Sequence, residues 1–211
     1  MQLIYGTGNP AKINHMKYLL SPLDIGIVGI KELGIDLPDI DESGNNPLEN
    51  ACKKALAYYS IIRRPLFSCD SGLYFEGLND NEQPGVHVRH VNGKVLNDAE
   101  MTDYYSYLAQ QHGGKLTAQY RNAICLVVSD TEIYTHCEPD IWGEKFLIVD
   151  KPHSKQKIEG FPLDRLSVKL DNGKYYYDDD TADSIFQQSG WVRFFHEALK
   201  GRCSINRNYT I

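Results

Sequence analysis

The chain has no apolar run approaching the roughly 18–20 residues that would span a bilayer. Its opening, MQLIYGTGN, lacks a basic stretch followed by a long apolar one. No membrane association is expected, and the sequence reads as soluble and cytoplasmic. A basic surplus is missing too: 22 lysines and arginines stand against 28 aspartates and glutamates, a formal net charge of −6. General nucleic-acid binding needs a basic surface to neutralise phosphates, so that class is set aside. A small phosphorylated ligand is not, since a few local lysines can serve one pocket in an acidic protein. Cysteines number five and form no C-x-x-C pair, which suits reduced thiols rather than a disulfide framework. The seven histidines show no H-x-x-x-H spacing, so zinc is not expected. Neither an internal repeat nor a low-complexity linker interrupts the 211 residues. That length suits one large domain or two lobes sharing a core, and a single α/β unit over 1–211 is expected, with a polar tail from about 202.

Local signals order the rest. Leu3-Ile4-Tyr5 is a short apolar run ended by Gly6-Thr7-Gly8-Asn9-Pro10. Asn before Pro is an N-cap and first-turn pair, so a helix is predicted from Pro10 towards Leu20, and a short strand follows at Ile25–Ile30. A second helix is predicted from Asn46, with Pro47 in its first turn and Glu49 placed for a capping box. Pro65–Cys69 reads as a strand ending at Asp70-Ser71-Gly72, with Leu73–Phe75 a brief continuation. Asp98 is expected to cap a helix to about His112, stopped by Gly113-Gly114. Leu116–Val128 reads as strand, Glu132–Cys137 as its hairpin partner, and Lys145–Val149 and Tyr175–Tyr177 as further strands. A last helix is expected from Ser189 or Gly190 to Leu199.

Three segments carry candidate chemistry. A glycine turn entering a helix at Thr7–Lys12 offers unpaired N–H groups and the positive dipole end to an anion, with Lys12 in the first turn. It is not a Walker A loop, and alone it reads as well as a capped helix with a solvated lysine. Asp41-Glu42-Ser43-Gly44 before a helix bearing Glu49 and Lys54 puts carboxylates where a hard cation such as Mg²⁺ would take oxygen ligands. Capping and surface charge explain the same residues. Asp70, at the end of an apolar strand, lies where ligands gather in open α/β sheets; it suits a metal ligand, a general base for water, or both, and Asp-Ser-Gly is equally a common turn.

In this order and spacing the three segments resemble the inosine triphosphate pyrophosphatase family. Its T-G-N-x-x-K is matched by Thr7, Gly8, Asn9 and Lys12. E-x-G-x-x-x-x-E-N-A-x-x-K-A is matched by Glu42, Gly44, Glu49, Asn50, Ala51, Lys54 and Ala55. D-S-G-L is matched by Asp70–Leu73, and P-G-V/I by Pro84-Gly85-Val86. The resemblance implies an elongated two-lobed α/β fold, a mixed sheet with flanking helices and a substrate cleft between lobes, generally as a homodimer. It implies hydrolysis of nucleoside triphosphate to monophosphate and pyrophosphate, on deaminated purines such as ITP and XTP. Carried over, Glu42 and Asp70 would hold Mg²⁺, with Asp70 also handling the attacking water. Thr7, Gly8, Asn9, Lys12, Lys54 and Ser71 would bind the triphosphate.

The C-terminal third departs from the family pattern. G-F-G-Y-D-P appears as Gly160-Phe161-Pro162-Leu163-Asp164-Arg165, keeping Phe161 for stacking on the base and Asp164. The S-H-R motif before the last helix is replaced near Phe186-Gln187-Gln188, so Gln187 and Gln188 become the candidate base contacts. A family lysine falls near Ala182, and Cys69 stands where many members carry a second aspartate. Arg89, between His87 and His90, is a further candidate substrate contact. Losing an arginine and a histidine removes charged donors suited to a 6-keto purine, so altered base selectivity is expected. The rival reading is a nucleotide-binding protein on this fold without catalysis.

Overall fold

The computed structural model describes residues 1–155, 162–178 and 185–204, with backbone alone at 185–188. In chain order the elements are β1 (Gln2–Tyr5), α1 (Pro10–Leu19), β2 (Gly26–Gly29), α2 (Pro47–Ile62) and β3 (Leu66–Phe75). The short strands β4 (His90–Val91) and β5 (Lys94–Val95) and the helix α3 (Asp98–Gln111) follow. The long strand β6 (Lys115–Ser129), then β7 (Glu132–His136), β8 (Phe146–Val149), β9 (Ser167–Lys169) and the helix α4 (Ile185–Ala198) complete the set. The mixed α/β class is as expected.

Two compact units emerge. The first comprises Met1–Ser71, Arg121–Trp142 and Ser184–Ile211; the second comprises Gly72–Tyr120 and Gly143–Asp183. Strands β3 and β6 each start in one unit and finish in the other. In the first unit, β1 is flanked by parallel β2 and β3, with Tyr5 in register with Gly29 on one side and Phe67 on the other. The antiparallel partner of β6 there is β7. In the second unit, β6 pairs antiparallel with β8, and β8 with β9.

The first unit's sheet has two apolar faces because its strands alternate. Leu3, Tyr5 and Phe67 pack with Ile13, Met16 and Leu19 of α1 and with Val192 and Phe195 of α4. Ile4, Leu66, Cys125 and Val127 face the other way, onto Ala51 and Ala55 of α2. Those alanines are fully buried, and their small size lets α2 sit close to the sheet.

Four local expectations need correction. Asp70–Gly72 does not end a strand: β3 runs unbroken through them to Phe75. An ideal Cβ on Gly72 would stand 2.8 Å from the Tyr74 ring and 3.0 Å from the Gly85 carbonyl carbon. Glycine here therefore serves close backbone approach, not a turn. The cap of α3 is Asn97, whose Oδ1 accepts from Ala99 and Glu100 N–H while Glu100 returns a bond to its N–H; Asp98 is the first helical residue. Only Tyr175 of the tyrosine triplet pairs in a sheet, as an isolated bridge to Val168, and Tyr176–Asp178 is a 3₁₀ turn. Helix α4 begins at Ile185, about a turn before Ser189. Among the described residues no helix is long and apolar enough to cross a membrane.

Candidate active site

The carboxylates of Glu42 and Asp70 converge on one ammonium. Lys54 Nζ donates to Glu42 Oε2 at 3.0 Å and to Asp70 Oδ1 at 3.2 Å. Lys54 and Asp70 side chains are 10% and 13% exposed, Glu42 53%, so the cluster opens to solvent on its Glu42 side. Burial works against the Lys54 charge, but Asp70 and Glu42 outweigh it and raise its pKa above the usual lysine value. A nearly buried cation held by two carboxylates contributes little net stability, because desolvation offsets the attraction. Such groupings are commoner at functional sites.

Each part of E-x-G-x-x-x-x-E-N-A-x-x-K-A has a structural reason. Asn46 caps α2 by accepting from Glu49 N–H at 2.9 Å. Glu49 accepts from Asn45 N–H and from the Asn46 amide. Buried Asn50 accepts from Gly44 N–H at 2.8 Å, so the loop carrying Glu42 is pinned to the helix. An ideal Cβ on Gly44 would stand 2.4 Å from Asn50 Oδ1; any other residue would lift that loop. Lys54 lies one turn beyond Asn50 on the same stripe, aimed at β3.

On β3, alternation divides the expected residues. Asp70 faces α2, whereas Cys69 and Ser71 face α1, where Ser71 lines a pocket with Lys12, His15, Asn122 and Trp191. Ser71 Oγ donates to Asn122 Oδ1 at 2.7 Å, and Asn122 Nδ2 donates to the Ile141 carbonyl at 2.7 Å. The carbonyl can only accept, so it fixes the amide's orientation, and Ser71 must give its proton to Asn122. Burial is the largest influence on the Cys69 thiol and pushes its pKa up to about 12, although Lys12 and Lys54 are both near enough to favour the thiolate.

At the first loop, Asn9 caps α1 by accepting from Ala11 N–H at 2.9 Å. Thr7 Oγ1 accepts from Asn9 N–H at 3.2 Å. Gly6 is seated against Ser68, whose buried hydroxyl has no hydrogen-bond partner among the described residues; a Cβ at Gly6 would stand 2.1 Å from it. Over Gly8 lies the end of the Lys31 side chain, with Nζ 2.9 Å from where a Cβ would be.

The structure thus joins Glu42, Lys54 and Asp70 directly, and Lys12 with Ser71 in one pocket. Arg89 is engaged within the second unit, bonded to Asp98 at 2.8 Å and to the Leu96 carbonyl. Asp164 also belongs to the second unit, in a 3₁₀ turn (Pro162–Leu166), and burial raises its pKa to about 6. Phe161 and the side chains of Gln187 and Gln188 lie outside the described residues. Sequence reasoning missed Lys31 and Asn122, which belong to no motif; a 3₁₀ turn places the one and the long strand β6 the other.

An α/β fold in which two carboxylates and a lysine from a loop, a strand and a helix converge suits a phosphate-handling class. Residues 3–166 match the model of the Ham1 family, and the chain belongs to that family. It is 31% identical over 136 residues to a dITP/XTP pyrophosphatase of Bradyrhizobium diazoefficiens, an alignment covering 63% of each protein. It is 27% identical over 174 residues to the Bacillus subtilis protein of the same name, covering 82% of this chain and 83% of that one. Among solved structures, a HAM1 protein from Coxiella burnetii superposes with a TM-score of 0.69 at 23% identity, over 92% of this chain and 95% of that one. The Staphylococcus aureus Ham1 protein gives 0.67 at 22% identity, over 95% and 99%.

Proposed function

We propose that the protein is a Mg²⁺-dependent pyrophosphohydrolase that converts nucleoside triphosphate and water to nucleoside monophosphate and pyrophosphate. The observation that carries this reading is the Glu42–Lys54–Asp70 cluster. The names of the relatives support it at the level of activity.

The donors suit the metal. Among the described residues no three His, Cys, Asp or Glu side chains gather as a cage, but Mg²⁺ is typically held by one or two carboxylates, waters and substrate phosphates. Glu42 and Asp70 supply hard oxygen donors at a solvent-open edge. Bound there, Mg²⁺ would neutralise charge on the phosphates and polarise a phosphoryl oxygen.

The chain's own residues do the rest. Lys12 and the positive end of the α1 dipole bind and orient the polyphosphate. Asp70 takes a proton from water as the water oxygen bonds to a phosphorus flanking the α–β anhydride. That anhydride breaks, and pyrophosphate leaves with the electron pair of the broken bond. Lys54 holds both carboxylates in place and offers positive charge as oxygen charge develops.

Base selectivity differs from that of ITP and XTP enzymes, because Gln187 and Gln188 replace charged donors with amides that both donate and accept. The chain acts as a cytoplasmic homodimer in this reading, checked by sedimentation and by fractionation. Pyrophosphate release from ITP, XTP, dUTP, GTP and ATP with Mg²⁺ tests the whole. Release from several bases is expected. Strong selectivity for ITP and XTP would sink the altered selectivity, and failure on every nucleotide with binding intact would leave a nucleotide-binding protein.

A further inference from the structure

We propose that Lys31, which belongs to none of the motifs, is a third lysine contact for the substrate's polyphosphate, lying over the Gly8 loop. The inference rests on the functional reading above and deepens it.

Strand register brings Lys31 there. Tyr5 ends β1 in register with Gly29 at the end of its parallel neighbour β2, so both strands deliver their next residues to the same edge. From β1 come Gly6–Asn9; from β2 comes a 3₁₀ turn, Ile30–Leu33. Ligands collect at this carboxyl edge in such sheets. The turn is fixed at both ends: Glu32 accepts from Gly29 N–H at 2.8 Å, and Gly34, at φ +64°, closes it with a bond to the Lys31 carbonyl. From this base the Lys31 chain reaches across. A Cβ on Gly8 would stand 2.3 Å from its Cε, 2.8 Å from Cδ and 2.9 Å from Nζ. Gly8 is thus the position where the absent side chain leaves room for the lysine.

Charge gives the contact its purpose. Lys54 is already shared by two carboxylates, so that cluster is one negative charge in surplus. A nucleoside triphosphate brings about four negative charges at neutral pH. A divalent cation on the carboxylates, together with Lys12, leaves part of that charge unmatched. Lys31 supplies a further ammonium over the loop that enters α1, where the helix dipole already favours an anion.

Calorimetric binding of inorganic tripolyphosphate in Mg²⁺ buffer tests this without relying on turnover. Lys31→Met keeps the aliphatic stem over Gly8 and removes only the charge. It should weaken binding about tenfold and flatten the salt dependence, while Lys31→Arg stays near wild type. Gly8→Ala, which displaces the Lys31 end from the loop, should weaken binding to a similar degree. If Lys31→Met binds as tightly as wild type, the inference is overturned, and so it is if only Lys31→Ala weakens binding, since stem packing would then explain the effect. Failure of the wild-type chain to release pyrophosphate from any nucleotide, with the Lys31→Met loss intact, would overturn the enzymatic reading and uphold Lys31. No tripolyphosphate binding by the wild type would overturn both.

Discussion

The two faces of β3 differ in what they present. Towards α2, Asp70 shares Lys54 with Glu42 in a tight charged cluster. Towards α1, Cys69 and Ser71 look onto a pocket where the lysine, Lys12, stands on a helix and the polar contact is a neutral hydroxyl–amide pair. One residue of strand separates them. The difference teaches that the motif D-S-G-L encodes two environments, since alternation sends adjacent side chains to opposite sides of a sheet. In the proposed mechanism the first face holds charge and handles a proton, and the second holds and orients.

The comparison can be broken most forcefully from the loop that carries Glu42. Gly44→Ala should push that loop off Asn50, leaving a buried amide unpaired at a cost of about 2 kcal/mol in stability. Turnover should drop about a hundredfold, with a weaker response to Mg²⁺. Activity titrated against Mg²⁺, beside a thermal melt, reads both effects. An unchanged profile would show that Glu42 does not need its anchor.

A smaller effect is expected on the other face. Asn122→Ala frees the Ser71 hydroxyl, so KM should rise about fivefold to tenfold while kcat changes little. Equal losses in kcat would show that the two faces act as one.

Smallest is the effect in the second unit, where burial raises the Asp164 pKa to about 6. A carboxyl whose folded value exceeds its unfolded one loses stability as pH rises through the window from about 4 to about 6. Above that window the full penalty applies. Asp164→Asn should therefore melt higher than wild type at pH 7.5, by about 1 kcal/mol once solvent screening is allowed for, and show little gain at pH 4. A gain of the same size at both pH values would mean that packing, not ionisation, sets the difference.

Much of this was legible in the chain because it is short-ranged. Asn9-Pro10 and Asn46-Pro47 announce the two helices that flank the site, and Glu42, Gly44, Asn50 and Lys54 are tied by contacts within a dozen residues. What was not legible depends on distant partners. Asp70-Ser71-Gly72 looks like a turn locally, and only the place of β3 in the sheet, beside the sequence-distant β6, makes it strand. Asn122 sits inside a long strand with no local mark, and its place at the site comes from its hydrogen bond to the sequence-distant Ser71. Lys31 is one lysine in an ordinary turn until β1 and β2 are aligned. The β4–β5 hairpin, closed by Asn92 and Gly93 at positive φ, was missed in the chain although Asn-Gly is a turn pair.

The charged face of β3 carries the central claim, and Asp70→Asn tests it most directly. Asparagine keeps the shape and a hydrogen-bonding oxygen for Lys54 but neither the charge nor the basicity. Pyrophosphate release with Mg²⁺ and the nucleotide preferred by the wild type should fall by about a thousandfold or more, with the thermal melt essentially unchanged. Near-normal release by this variant would contradict the account.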